Sequence, residues 1–235
     1  MFEAVYARPD GDSPVERFAE TAAEYGFDGL VVRNHGDALA EVDAESLSER
    51  HAIDVVEGVE VRADDPSRAS GFIGTHRESK TVVAVHGGTN AVNRFAAEQP
   101  TVDVLAHPMA GDGDVNHVIA KTAAENGVRL EFAFEQVLRA DGGRRVQALR
   151  DLRKLRELVE TYDTPYVVSA DPQSHLHLRA PRDLVSVGRT VGFDADQMET
   201  GLSEWGRLVE RNRRRQSDEF VEPGVYRRSG DDEDS

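Results

Sequence analysis

The chain has 235 residues, with 44 Asp and Glu against 28 Lys and Arg, a formal net charge of −16 and no cysteine. Disulfides and thiolate metal sites are thereby excluded, while 39% hydrophobic residues suffice for a core of one barrel-sized domain or two small ones. There is no 18-residue apolar run and no basic-plus-apolar leader, so no membrane-spanning helix is expected and a cytoplasmic protein is.

In chain order, residues 2–7 read as a strand closed by the Pro9-Asp10-Gly11-Asp12 turn. Ser13 caps a helix with Pro14 at its first position and Glu16 completing a capping box, and Gly26 stops it. A second strand over 29–33 runs into Asn34-His35-Gly36, a short helix covers 44–50, and a third strand over 53–61 is interrupted by Gly58. Residues 64–80 are polar and read as a loop with room for one helical turn. A buried-type strand over 81–85 ends in His86-Gly87-Gly88, Thr89 caps a helix through Ala97, and a strand over 102–106 ends in His107-Pro108. A helix to Asn126 and a strand over 128–134 follow. The longest helix, 144–162, has Leu149, Leu152, Leu155 and Val159 on its apolar face. The strand 166–170 leads into a polar loop holding His175, His177 and Arg179, after which Pro181 opens a helix that Gly192 ends. A last amphipathic helix spans 195–215, and residues 216–235 are expected to be a mobile acidic tail.

Seven strands alternating with helices, mostly by short steps and without a glycine-rich dinucleotide fingerprint, predict an α/β TIM-like barrel over residues 1–215. No eighth strand is visible, so something irregular must close it. Function in such a barrel collects on the loops after the strands' carboxyl ends. His35, His86, His107 and His175 stand at or beyond such ends, Glu60 and Glu131 lie within strands, and Asp171 lies just past one. Imidazoles and carboxylates placed there are the donor set of a metal-dependent hydrolase, with the four histidines as candidate ligands. Structural or solvated histidines are the plainer alternative. No Ser-His-Asp or Cys-His spacing supports a covalent mechanism.

Only Lys80, Lys121 and Lys154 among the basic residues are lysine. An acidic surface with arginine in place of lysine suits a cytoplasm rich in salt, where a carboxylate shell stays hydrated and its self-repulsion is screened. Net charge then says little about nucleic acid, and local arginine clusters are the relevant feature. Arg144, Arg145, Arg150, Arg153, Lys154 and Arg156 crowd one helix; Arg207, Arg211, Arg213, Arg214 and Arg215 crowd the end of the last. Guanidinium groups match phosphate geometry, although salt-bridged helix faces and a favourable C-terminal dipole account for such clusters too. Arg179 and Arg182 flank a helix N-terminus, a place that attracts phosphate; pairing of Arg182 with Asp171 or Asp183 is the competing account. Arg33, ending the second strand, is a further candidate for phosphate contact.

The run Val167-Val168-Ser169-Ala170-Asp171, followed by Arg179-Ala180-Pro181-Arg182-Asp183-Leu184, resembles the signature of the archaeal and eukaryotic ribonuclease P protein component 3 family. The opening Phe2-Glu3-Ala4-Val5-Tyr6, the segment Gly26-Phe27-Asp28-Gly29-Leu30-Val31-Val32 and Val128-Arg129-Leu130-Glu131 resemble it too, so the similarity covers most of residues 1–192. The resemblance implies a seven-stranded barrel related to polymerase-and-histidinol-phosphatase barrels, its metal ligands largely lost. Those barrels carry His-x-His at the end of the first strand, where this chain has Tyr6-Ala7-Arg8-Pro9-Asp10. It further implies an RNA-binding subunit of ribonuclease P, paired with a small RRM-like subunit in a heterotetramer, that supports the catalytic RNA in removing the 5′ leader of precursor tRNA. The chain would bind no cofactor, magnesium serving the RNA. The expected RNA contacts are Arg179, Arg182, Arg33, Arg144, Arg145, Arg150 and Arg153. An independent metal-dependent phosphoesterase using His35, His86, His107 and His175 is the rival reading, and a protein-interaction scaffold the third.

Overall fold

The apolar runs become seven strands, β1 (Phe2–Val5), β2 (Gly29–Val32), β3 (Asp54–Val61), β4 (Val82–His86), β5 (Val104–Ala106), β6 (Arg129–Ala133) and β7 (Tyr166–Ser169), in a computed structural model that describes residues 1–217, 220–222 and 225–226. They pair in parallel, in chain order from β1 to β7. The helices around them are α1 (Val15–Glu24), α2 (Ala44–His51), α3 (Pro66–Arg77), α4 (Asn90–Ala97), α5 (His117–Asn126), α6 (Glu135–Arg139), α7 (Gly142–Tyr162) and α8 (Pro181–Val191). Strands covered on both faces need little polar alternation, which is why Leu30, Val31 and Val32 are all buried.

Two apolar layers result. The outer one packs helices on strands, for example Phe18, Leu30 and Val55. The inner one is built from small side chains, Ala4, Val31, Val56, Ala84, Ala106 and Val167, with Trp205 among them.

Trp205 belongs to α9 (Ala195–Gln216), the element that replaces an eighth strand. No backbone ladder joins β1 to β7 among the described residues. Instead the Glu3 carboxylate on β1 accepts from Ser169 Oγ at 2.7 Å and Ala170 N at 3.1 Å across the gap. The Trp205 indole N–H donates to Val168 O at 3.0 Å. Gly201 permits the approach: a Cβ there would stand 2.6 Å from Val168 Cγ2. From the gap α9 continues across the amino-terminal end of the barrel, where Asn212 Nδ2 donates to Thr81 O at 2.8 Å and Arg213 pairs with Asp54 at 2.6 Å.

Three local expectations are corrected. Ser13 caps nothing: α1 has Pro14 at its N-cap without a side-chain bond, and Ser13 Oγ turns to His175 Nδ1 at 2.8 Å. Residues 64–80 hold the three-turn α3, because Asp65 accepts from Ser67 N and Arg68 N just ahead of Pro66. β3 runs through Gly58 uninterrupted, and the short α6 adds a helix in a segment that shows no period. The mobile tail expected over 216–235 falls mostly outside the described residues; within it β8 (Phe220–Glu222) pairs antiparallel with β9 (Val225–Tyr226).

Candidate functional site at the barrel mouth

Along a strand, every second side chain points inward. Beyond the inner apolar layer the same parity delivers a polar tier at the carboxyl end. Ala4 is followed by Tyr6, Val31 by Arg33, Ala84 by His86, and Val167 by Ser169 and then Asp171, while Glu60 and Glu131 come from β3 and β6. Arg33 sits at its centre and is completely buried. Its Nη2 lies 2.5 Å from Glu131 Oε1 and 3.1 Å from Asp171 Oδ1, and its Nη1 lies 3.1 Å from Glu60 Oε2 and from Glu131 Oε2. The guanidinium carbon stands 4.9 Å from the Tyr6 ring centre and 5.3 Å from that of Trp205, and Nε has no hydrogen-bond partner among the described residues. This overturns the expectation that Arg33 touches RNA phosphate: a side chain enclosed by three carboxylates and two rings presents nothing to a ligand outside.

Three imidazoles lie over this ion cluster. His86 Nδ1 is 2.5 Å from Glu60 Oε1 and His35 Nε2 is 3.4 Å from the same oxygen. His107 Nε2 is 3.1 Å from the Tyr6 hydroxyl, which itself donates to Glu60 Oε2 at 2.7 Å. His107 and Asp171 adopt left-handed backbone, φ 48° and 53°, a conformation uncommon outside glycine that turns both side chains toward the cluster. Asp10 holds His35 Nδ1 at 2.8 Å, and Arg62 Nη2 lies 2.8 Å from His35 Nε2.

Charge follows geometry. Burial alone would raise the Glu60 carboxyl, but Arg33 and the bonds from His35 and His86 outweigh it and hold the group well below the carboxylate range. Burial opposes protonation of His107, yet Asp171, Glu60 and Glu131 prevail and raise it. Burial and the surrounding carboxylates keep the Tyr6 phenol protonated, well above its usual value despite Arg33.

Of the four histidines that the rival metal-dependent reading would use, the fold gathers His35, His86 and His107. His175 is not with them; it is held to Ser13 beside α1, in a 3-10 turn, His175–His177. His35, Glu60 and His86 each offer a donor atom within 4.8 Å of the others. The set nevertheless suits a divalent ion poorly, because both oxygens of Glu60 are engaged and the guanidiniums of Arg33 and Arg62 flank it. Tyr6, Asp10 and Arg62 were missed in the sequence; strand parity pointed to Tyr6, and nothing local pointed to the others.

The arginine clusters part company. In a (β/α) barrel each helix following a strand starts at the mouth, so the N-termini of α7 and α8 form its rim. Arg144, Arg145, Arg150 and Arg153 are exposed, and none makes an ion pair among the described residues. Arg182 is 89% exposed with only Asp183 at 3.8 Å, whereas Arg179 is half-buried and donates to Leu178 O at 2.7 Å. Arg144 also lines a cleft of about 320 Å³ that reaches His107 and Glu131 between α7 and the loop after β5. Three arginines of the second cluster are tied to the closed end, Arg211 with Asp103, Arg213 with Asp54 and Arg207 with Glu204, while Arg214 and Arg215 are exposed.

A family model described as RNase P subunit p30 matches residues 1–217. The chain belongs to that family. It is 64% identical over 225 residues to "Ribonuclease P protein component 3" of Haloarcula marismortui, covering 96% of each chain. To the protein of the same name in Natronomonas pharaonis it is 60% identical, covering 100% of this chain and 99% of the other. Relatives in salt-loving archaea accord with the arginine-for-lysine composition. A chain from a cryo-EM structure of archaeal ribonuclease P with mature tRNA superposes at TM-score 0.85 over 100% of both chains, at 20% identity. A histidinol phosphate phosphatase from Lactococcus lactis, complexed with zinc, L-histidinol and phosphate, gives TM-score 0.54 at 11% identity over 82% of this chain and 94% of that one. The p30 family and the TIM-like barrel are thus as expected, and the rival reading of a free-standing phosphoesterase is not favoured. No helix among the described residues is long and apolar enough to cross a membrane.

Proposed function

We propose that this p30-family chain works as a protein subunit of ribonuclease P, supporting the catalytic RNA as it removes the 5′ leader of precursor tRNA. The observation carrying this reading is the family match over residues 1–217, at the level of whole-chain identity given above. The mouth agrees with it: the inward carboxylates are committed to Arg33, so the chain supplies neither a nucleophile nor an ion, and magnesium serves the RNA. Residues 1–215 act as the barrel unit. Its partners are the RNA, a small RRM-like subunit in a heterotetramer, and precursor tRNA as the substrate of the complex.

The RNA face lies on the rim of α7 and α8, where Arg144, Arg145 and Arg182 are exposed. Arg150 and Arg153 extend it along α7, and Arg179 orders the loop that presents Arg182. In concentrated salt, counterion release adds little to RNA affinity, so shape and bidentate arginine contacts carry more of it. The test is the combined Arg144→Ala, Arg145→Ala and Arg182→Ala variant in the reconstituted complex. Its affinity for the RNA should fall by about tenfold at moderate salt, with a salt slope shallower by about one per lost phosphate contact. Precursor cleavage should drop while the melting temperature holds; unchanged affinity and cleavage would remove this face from the reading.

A further inference from the structure

The centre of the mouth holds a cation that belongs to the chain. Three carboxylates from three strand ends converge on one guanidinium, and three imidazoles stand over them. Several carboxylates brought this close in a dry interior repel one another unless a positive charge is placed among them. Oxygen and imidazole donors in such a ring are what a divalent transition ion requires. Here that charge is delivered by a side chain: Arg33 is completely buried, and its guanidinium bonds Glu131 and Asp171 and pairs with Glu60.

We infer that the mouth is a divalent-ion cage whose place is filled by the Arg33 guanidinium, so that removing Arg33 opens a metal site formed by Glu60, Glu131 and Asp171 with His86 and His107, while His35 stays with Asp10 and Arg62. The idea rests on the geometry of the isolated chain and stands or falls apart from the RNA reading. It explains why a barrel mouth so rich in ligands is also poor in free ones. It also gives the buried, unpartnered Nε a reason: the site was shaped around donors at the fork of the side chain, and Tyr6 and Trp205 cover the rest.

The test uses the full chain, with Zn²⁺ and Mn²⁺ as probes, after stripping with EDTA. Wild type should bind neither ion stoichiometrically by calorimetry, and its melting temperature should be the same with or without them. Arg33→Ala should melt lower in EDTA, take up at least one ion per chain, and regain about 5–10 °C when the ion stands at about 100 times its Kd. Adding Glu60→Gln to Arg33→Ala should abolish most of that recovery. Arg33→Lys, which keeps a unit charge on a head without the fork, should fold and gain no ion. Stoichiometric ion binding by wild type would overturn the inference, because the cage would then not be filled. So would an Arg33→Ala chain whose melting the ions leave unmoved, or one that stays unfolded equally with and without them.

Discussion

Closing a seven-stranded barrel with a helix makes Trp205 the side chain on which closure most depends. It is fully buried between the inner strand residues and the Arg33 guanidinium, and its indole N–H supplies the bond to Val168 O that an eighth strand would have made. Replacing Trp205 by alanine withdraws on the order of 200 Å² of aromatic surface, about 5 kcal/mol at 25 cal/mol per Å² as an upper figure. Measured large-to-small changes of this kind cost about 3–5 kcal/mol. An unsatisfied Val168 carbonyl adds about 1 kcal/mol. Together these come to roughly 4–6 kcal/mol, which in a chain of this size lowers the melting temperature by roughly 10–20 °C. Trp205→Phe keeps the ring and loses chiefly the N–H, so it should fall by about 3–6 °C. Thermal melts followed by far-UV circular dichroism in concentrated KCl measure both. A fall of less than about 4 °C for Trp205→Ala, or equal falls for the two variants, would refute the idea that α9 closes the barrel through this residue.

Glu131→Gln removes the bidentate partner of Arg33 and leaves a buried cation undercompensated, at a cost of about 3–5 kcal/mol; urea titration reads this, and a loss under about 1 kcal/mol contradicts the central role of the ion cluster. Burial raises the Glu3 carboxyl from 4.5 to about 7, so between those values the native state holds a proton the unfolded chain has released, and stability declines as pH rises across that window. Comparing urea midpoints at pH 5 and 8 should show this slope in wild type and a flatter one in Glu3→Gln; identical slopes would assign the effect elsewhere. Glu60 has the opposite sign: held far below 4.5, it adds stability that is present above pH 4.5 and lost as the solution is acidified through its folded value. Arg211→Ala should lower the melting temperature by a few degrees, since Asp103 then loses one of its two arginines and keeps Arg77 at 2.7 Å and the Val83 N–H at 2.9 Å, and should leave RNA affinity untouched; the reverse pattern would move the second arginine cluster to the RNA face.

Much of the site was written in strand parity. Val31 faces the barrel interior, so Arg33, two residues on, had to face it as well; an arginine read as a surface contact at a strand end was inward by the same rule that buried Val31. His35, His86 and His107 meet at the mouth because each lies at, or within three residues of, the carboxyl end of its strand. His175 does not join them, because a loop of irregular backbone carries it away from the barrel axis toward Ser13. Ser13 itself read as a helix cap, and a partner 162 residues away outcompeted the local backbone for its hydroxyl.

The sequence by itself determined the order of the seven strands, the missing eighth strand, the gathering of histidines and carboxylates near strand ends and the family, because these depend on periodicity, turn residues and local motifs. Only the tertiary structure decided what closes the barrel and which arginines are free. Both depend on which side chains, distant in the chain, fall within reach of one another. Arg213 finds Asp54 and Arg33 finds Glu131, while among the described residues Arg144 pairs with no acid and Arg182 has only its neighbour Asp183 at 3.8 Å. A guanidinium enclosed by carboxylates and one turned to solvent are the same residue in the sequence; burial and the charge nearby make one a fixed ion of the core and the other a contact for a partner.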